Sequence, residues 1–147
     1  LLLTMDEKAI AGTVWMNKGS TYLNEGKLDS AYIVQLEAQQ LKQEGEASVR
    51  SLAMSNLNVG HALMALGRLS EAAVQFDKAL AAFEEIGNMA GLANKLVDRG
   101  ELWVAEGDFI RARNDCSRGK RISREVDQLD FQANACDCLF KAYKALA

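Results

Sequence analysis

Residues 57–76 read LNVGHALMALGRLSEAAVQF, and the same plan occurs twice more, at 16–35 (MNKGSTYLNEGKLDSAYIVQ) and 97–116 (VDRGELWVAEGDFIRARNDC). The three stretches align without gaps. Glycine recurs at 19, 60 and 100, glycine again at 26, 67 and 107, and alanine at 31, 72 and 112, with spacings of 41 and then 40 residues. Three anchors repeating in one register mark an array of similar units, each unable to bury its apolar face alone. Gly26, Gly67 and Gly107 suit the positive φ of a tight turn that closes one helix. Asp29, Ser70 and Asp108 follow as capping types near the start of the next. Ala31, Ala72 and Ala112 sit one turn inside that second helix, where a small side chain lets two helices approach. Gly19, Gly60 and Gly100 fall mid-helix at a cost of about 1 kcal/mol each relative to alanine, and close packing against the partner helix is the expected compensation.

Between the anchors the apolar spacing is helical. Leu69, Ala72, Ala73, Phe76, Ala79, Leu80 and Phe83 follow steps of three and four. The chain has no proline, so long helices are allowed throughout. This predicts seven helices, over 5–25, 28–45, 48–66, 69–87, 90–106, 109–127 and 130–146. Gly45 and Gly87 suit two further helix ends, and Asp127 with Gln128 marks a third such corner.

These residues resemble the tetratricopeptide repeat, whose Trp-x2-Leu-Gly-x2-Tyr and Ala-x3-Phe pattern each copy meets in part. The first copy has Trp15, Gly19, Tyr22 and Ala31. The second has Gly60, Leu63, Ala72, Phe76 and Ala79. The third has Gly100, Trp103, Ala112 and Cys116. Lys18 and Arg99 depart from the leucine, Gln35 departs from the phenylalanine, and no copy ends in proline. The period exceeds the roughly 34 residues of the standard unit. It looks like the longer unit of Pins-type polarity adaptors and of the sensor regions of MalT-like bacterial regulators. The resemblance implies an all-α fold, a right-handed superhelix of antiparallel helix pairs. It would form a single domain over 1–147, with repeats at 5–45, 48–87 and 90–127 and a last helix at 130–146. That last helix is either a cap over the open end of the array or an ordinary repeat cut short. Leu1–Leu3 fall where a preceding helix would finish, as in a piece of a longer protein.

The length and composition fit one folded domain: 147 residues, 49% hydrophobic and 25% charged. A net charge of −3 gives no reason to expect nucleic acid. No apolar run approaches the roughly 20 residues of a membrane span. The cysteines number three, an odd count at uneven spacing, which suggests buried thiols in a reducing, cytoplasmic setting. Cys136 and Cys138 point about 200° apart on a helix and cannot share an ion. By alignment, Cys116 takes the core slot of Phe76 and Cys136 that of Trp15. His61 is the sole histidine and lacks partners at ligand spacing. No phosphate loop, nucleophile elbow or zinc-protease motif is present. No enzyme activity, metal or cofactor is therefore expected.

The resemblance implies a protein-interaction module that binds a partner protein or peptide in a concave groove lined by the first helix of each repeat. There Asn17, Asn58 and Asp98 occupy one slot, two residues before the mid-helix glycine. They resemble the asparagine ladder of O-linked N-acetylglucosamine transferase, which grips the backbone of an extended peptide. Asp98 departs, since it only accepts hydrogen bonds. Ser20, His61 and Glu101 follow one residue after the glycine and complete the candidate groove set. Arg111, Arg113, Arg118, Lys120, Arg121 and Arg124 form a basic run that reads either as a solvated face or as a docking patch for an acidic partner. The competing reading is a ligand-sensing regulatory segment of a bacterial signalling or transcription-regulating protein. A third is self-association through the ends of the array.

Overall fold

The computed structural model describes residues 2–147 and is all-helical over them. Leu1, part of the expected end of a preceding helix, lies outside the described residues. The helices are α1 (Met5–Asn24), α2 (Leu28–Glu44), α3 (Val49–Ala65), α4 (Leu69–Glu85), α5 (Met89–Glu106), α6 (Phe109–Glu125) and α7 (Leu129–Leu146). Every expected helix is present, within two residues at each end. The chain divides into two compact units, one through Ala82 and one from Phe83 to Ala147.

The corners explain the register. Gly26, Gly67 and Gly107 have φ of +74°, +76° and +84°, as their spacing required. The amide after each reaches back five residues, for example Lys27 N to Tyr22 O at 2.9 Å, which closes the last turn and satisfies a free carbonyl. The alternate corners place Glu46, Gly87 and Asp127 in the same left-handed region, so such a residue recurs every 20 or 21 positions. Gly45 is a correction in detail: its φ is −85°, and Glu46 takes the left-handed turn instead. Gly45 is glycine for another reason. A Cβ there would lie 2.6 Å from Ala9 N and 2.7 Å from Met5 O, so α2 ends against the backbone of α1.

The caps follow the sequence only once. Asp108 accepts from Arg111 N at 3.0 Å as expected. Asp29 and Ser70 lie one residue inside their helices, and α2 starts from Lys27 with no side-chain cap. Thr4 and Glu7 form a reciprocal capping box that the repeat alignment could not show, because it precedes the first aligned stretch.

The mid-helix glycines face the expected partner. A Cβ on Gly60 would sit 3.3 Å from the Phe76 ring, and one on Gly19 would meet Gln35. Glycine and its facing residue are separated by 16 positions in every repeat: 19 and 35, 60 and 76, 100 and 116. Ala31, Ala72 and Ala112 are fully buried between the helices, with Leu57, Phe76, Leu92 and Leu96 as the large core residues.

The first unit also buries a cation. Lys42 is 2% exposed, fitted against Gly12, and its Nζ donates to Thr13 Oγ1 at 3.1 Å and Ser51 Oγ at 2.5 Å. No carboxylate is among these partners, and burial lowers the pKa of the ammonium. A folded-state pKa below the unfolded one means that the charged form costs stability. That cost is full below the folded pKa and is relieved as pH rises toward the ordinary lysine value of 10.5. Lys42→Met keeps the stem and removes the charge. It is expected to stabilise the protein by about 1 kcal/mol at pH 7, with a smaller gain at pH 10. Urea titrations at the two pH values check this; a variant less stable than the parent at pH 7 shows that the hydroxyl cradle outweighs desolvation.

Candidate functional site

In the first unit, α1 carries Asn17 and Ser20, and α3 carries Asn58 and His61. Asn17 is exposed and Asn58 half-buried, and neither side-chain amide has a hydrogen-bond partner among the described residues. Only the backbone carbonyl of Asn17 is used locally, by Thr21 Oγ1 at 3.1 Å. Ser20 is committed inward: its hydroxyl donates to Met16 O at 3.1 Å and accepts from Gln35 Nε2 at 3.4 Å. His61 is half-buried and meets the edge of Phe76 with ring centroids 5.2 Å apart. The two asparagines thus keep donors and acceptors available where the other two residues do not.

In the second unit, Asp98 pairs with Lys95 at 3.0 Å and Glu101 takes Lys141 Nζ on both oxygens at 3.0 Å. Lys141 also meets Asp137 at 3.0 Å, and these two carboxylates, Asp137 first, raise its pKa above the usual lysine value. Asp98 and Glu101 line a cleft of about 220 Å³ together with Asn94, Val97, Asn134 and Asp137. Asn94 and Asn134 were not foreseen. They stand 40 residues apart at one slot of α5 and α7, the repeat period itself, and a search for recurring asparagines outside the glycine register finds them.

The basic run on α6 separates into two kinds of residue. Arg111 binds Asp108 at 2.6 Å and lies 4.2 Å from the centre of the Trp103 ring, and Arg118 binds Glu84 at 2.8 Å. Arg113 is half-buried. Lys120, Arg121 and Arg124 have no carboxylate partner among the described residues, and they line a cleft of about 420 Å³ with Ser117, Glu125 and Leu139. Asp115, which interrupts the run in sequence, points into the fold instead. It accepts two bonds from Arg99, at 2.7 and 2.8 Å, and one from Trp103 Nε1 at 2.9 Å. This explains the departure at Arg99, since its partner stands 16 positions on, at the same offset as Gly100 and Cys116.

Two readings of the cysteines are corrected. Cys116 and Cys138 form a disulfide, with Cα atoms 6.1 Å apart and a sequence separation of 22. An odd count argued against bridges, but it only requires that one thiol be left over. The pair is fully buried, and Gly100 leaves the space for both sulfurs. The argument for a reducing compartment loses its premise. Cys136 is the remaining free thiol among the described residues and is exposed, not core. It fails as a core residue because α7 turns Ala135, Cys138 and Ala142 toward α5 and α6, and Cys136 lies about 100° away from Ala135. Its counterpart Trp15 is itself only half-buried.

Among the described residues, no group of three or more His, Cys, Asp or Glu is arranged to hold a metal ion, and no helix is long and apolar enough to cross a membrane. A family model described as tetratricopeptide repeat matches residues 12–44, which lie in α1 and α2. Among solved structures, the chain is similar to the crystal structure of BtubC (BKLC) from P. vanneervenii, with a TM-score of 0.75 and 18% identity. That match covers 91% of this chain and 59% of the other, so the chain spans about three fifths of its neighbour's length. At this identity the likeness extends to the helical-repeat fold alone. No curated protein matches.

Proposed function

We propose that the protein is a tetratricopeptide-type interaction module with no catalytic role. In this reading it is a single helical-repeat domain that binds an extended or helical segment of a partner protein along the first helices of its repeats. The observation that carries this reading is the pair of side-chain amides on Asn17 and Asn58. They occupy one slot of α1 and α3, 41 residues apart, and both lack a partner among the described residues. An unpaired amide at mid-helix is unfavourable by propensity, so its repetition calls for a use. A donor and an acceptor repeated at one slot suit a peptide backbone, which offers both at regular intervals. The match over residues 12–44 supports the same reading.

Replacing both asparagines by alanine tests it. Stability is expected to hold or rise slightly, because alanine is the better helix former by roughly 0.5 kcal/mol per site. Each lost hydrogen bond is worth about 0.5–1.5 kcal/mol, so binding of a partner segment falls roughly five- to a hundredfold. Because backbone is gripped, the loss is similar for different partner sequences. A thermal melt and a titration with segments selected on the parent protein measure both quantities. A lower melting temperature with unchanged binding shows the asparagines to be structural and removes the basis of the proposal.

A further inference from the structure

We propose that Ser51 is a nucleophilic serine that accepts an acyl group from an activated ester or thioester, with the buried amine of Lys42 as its base. The chain is modified once and nothing turns over. The inference therefore goes beyond the interaction reading and does not rest on it.

Three helices of the first unit meet at this amine. Lys42, in the last turn of α2, is 2% exposed, and its Nζ lies 2.5 Å from Ser51 Oγ on α3 and 3.1 Å from Thr13 Oγ1 on α1. Gly12 admits the stem, since a Cβ there would lie 2.7 Å from Lys42 Cγ. The contacts lie between α1, α2 and α3, whose mutual packing a longer array would leave in place.

The two hydroxyls differ in what they can do. A hydroxyl inside a helix commonly donates to the carbonyl four residues back. Thr13 does so to Ala9 O at 3.2 Å, and Ser20, Thr21 and Ser123 do the same on their own helices. The proton of Thr13 is thus committed, and its oxygen accepts from Lys42 and fixes the amine. Ser51 is the third residue of α3, and the residue four back, Ala47, precedes the helix. Among the described residues its hydroxyl meets only Lys42. A neutral amine takes that proton and leaves an oxygen able to attack, the arrangement of a serine–lysine pair.

The surroundings favour the neutral amine. No carboxylate is among its partners, and burial alone lowers its pKa from the ordinary 10.5. The ionisable groups that flank these contacts in sequence are Lys8 and Lys18 on α1, Glu44 on α2 and Arg50 on α3. Lys8 pairs with Glu44 at 3.0 Å, Lys18 lies 4.5 Å from the centre of the Trp15 ring, and Arg50 is exposed. The first turn of α3 also supplies the amides of Val49 and Arg50, which have no acceptor within the helix and suit the oxyanion of an acyl transfer.

The step needs nothing besides the donor. Ser51 Oγ bonds to the acyl carbon, and the bond from that carbon to its leaving oxygen or sulfur breaks. The proton passes from Oγ to Lys42 Nζ and on to the leaving group, so the amine ends neutral.

The test uses the full chain, with p-nitrophenyl acetate as the acyl donor and peptide mass mapping of the product. One acetyl group is expected per chain, on Ser51, with released p-nitrophenolate to match. Exposed Ser30 and Ser70 stay unmodified over the same time. The rate rises with pH through a single ionisation below 10.5 and then levels. Ser51→Ala abolishes the label, and Lys42→Met slows it about a hundredfold. Thr13→Val removes an acceptor from the ammonium and moves the midpoint of the pH profile further down. Alanine at Asn17 and Asn58 leaves the rate unchanged. A melt of each variant separates lost reactivity from lost fold. A fluorophosphonate, whose serine ester does not pass on to an amine, labels Ser51 as well. The proposal is overturned if Ser51 reacts no faster than Ser30 or Ser70, or as fast in Lys42→Met as in the parent. Acetyl on Lys42 in Ser51→Ala at the parent's rate also overturns it, because the reactivity then belongs to the amine alone.

Discussion

Reduction of the Cys116–Cys138 bridge is expected to lower the stability of the protein by about 3 kcal/mol, the entropy released to the unfolded chain when a loop of some 22 residues opens. For a chain of this length that is a fall in melting temperature of roughly 10 °C. The bridge ties α6 to α7, which among the described residues packs on α6 and α5. The loss therefore concentrates in the last helix. Hydrogen exchange should show its amides opening first, because a terminal element with few apolar partners has the lowest local stability. Thiol counting fixes the redox state independently. Unfolded without reductant, the protein should present one reactive thiol, and after reduction three. The variant Cys116→Ala, Cys138→Ala should melt near the reduced parent and ignore reductant, while Cys136→Ser should behave as the parent does. Three thiols before reduction, or a melting temperature indifferent to reductant in the parent, contradicts the bridge.

The seven helices and most corners were legible because repetition supplies three independent readings of each slot. Gly26, Gly67 and Gly107 at one position leave little choice but a left-handed turn. What sequence could not supply was anything carried by a single copy. Gly45 and Glu46 share one corner, and only the nearness of Met5 and Ala9 decides which of them turns left-handed. The Arg99–Asp115 pair and the bridge both join residues unique to the last repeats. Their link, an offset of 16 in one case and a separation of 22 in the other, becomes visible only once the faces of α5, α6 and α7 are known. The site divides in the same way. Asn17 and Asn58 were found by their shared slot. That Ser20, Asp98 and Glu101 already have partners depends on Gln35, Lys95 and Lys141, whose side-chain directions the alignment does not contain. The basic run divides because Asp108 and Glu84 reach Arg111 and Arg118, whereas among the described residues no carboxylate reaches Arg113, Lys120, Arg121 or Arg124.

Alanine at Gly45 should be more damaging than alanine at a left-handed corner. The added methyl would lie 2.6 Å from Ala9 N and 2.7 Å from Met5 O. Both are backbone atoms inside α1, held by the hydrogen bonds of the helix, and neither can turn aside as a side-chain end can. Relief requires α1 to move away from the end of α2, which loosens the packing around Gly12 and Lys42 as well. Overpacking of this kind costs about 3 kcal/mol. Gly26 presents the opposite case: nothing lies within 4 Å of its Cβ position, but φ is +74°, so alanine there costs only the left-handed penalty of roughly 1–2 kcal/mol. Gly60 is a third case. Its methyl would meet the Phe76 ring at 3.3 Å, a side chain able to shift by a few tenths of an ångström. The gain in helix propensity, about 1 kcal/mol, offsets most of that contact. Urea titrations of Gly45→Ala, Gly26→Ala and Gly60→Ala should therefore rank them in that order of loss, with the last near the parent. If Gly26→Ala proves the most damaging, the turn and not the approach of α1 to α2 governs the first repeat, and the close contact at Gly45 is not a feature of the protein in solution.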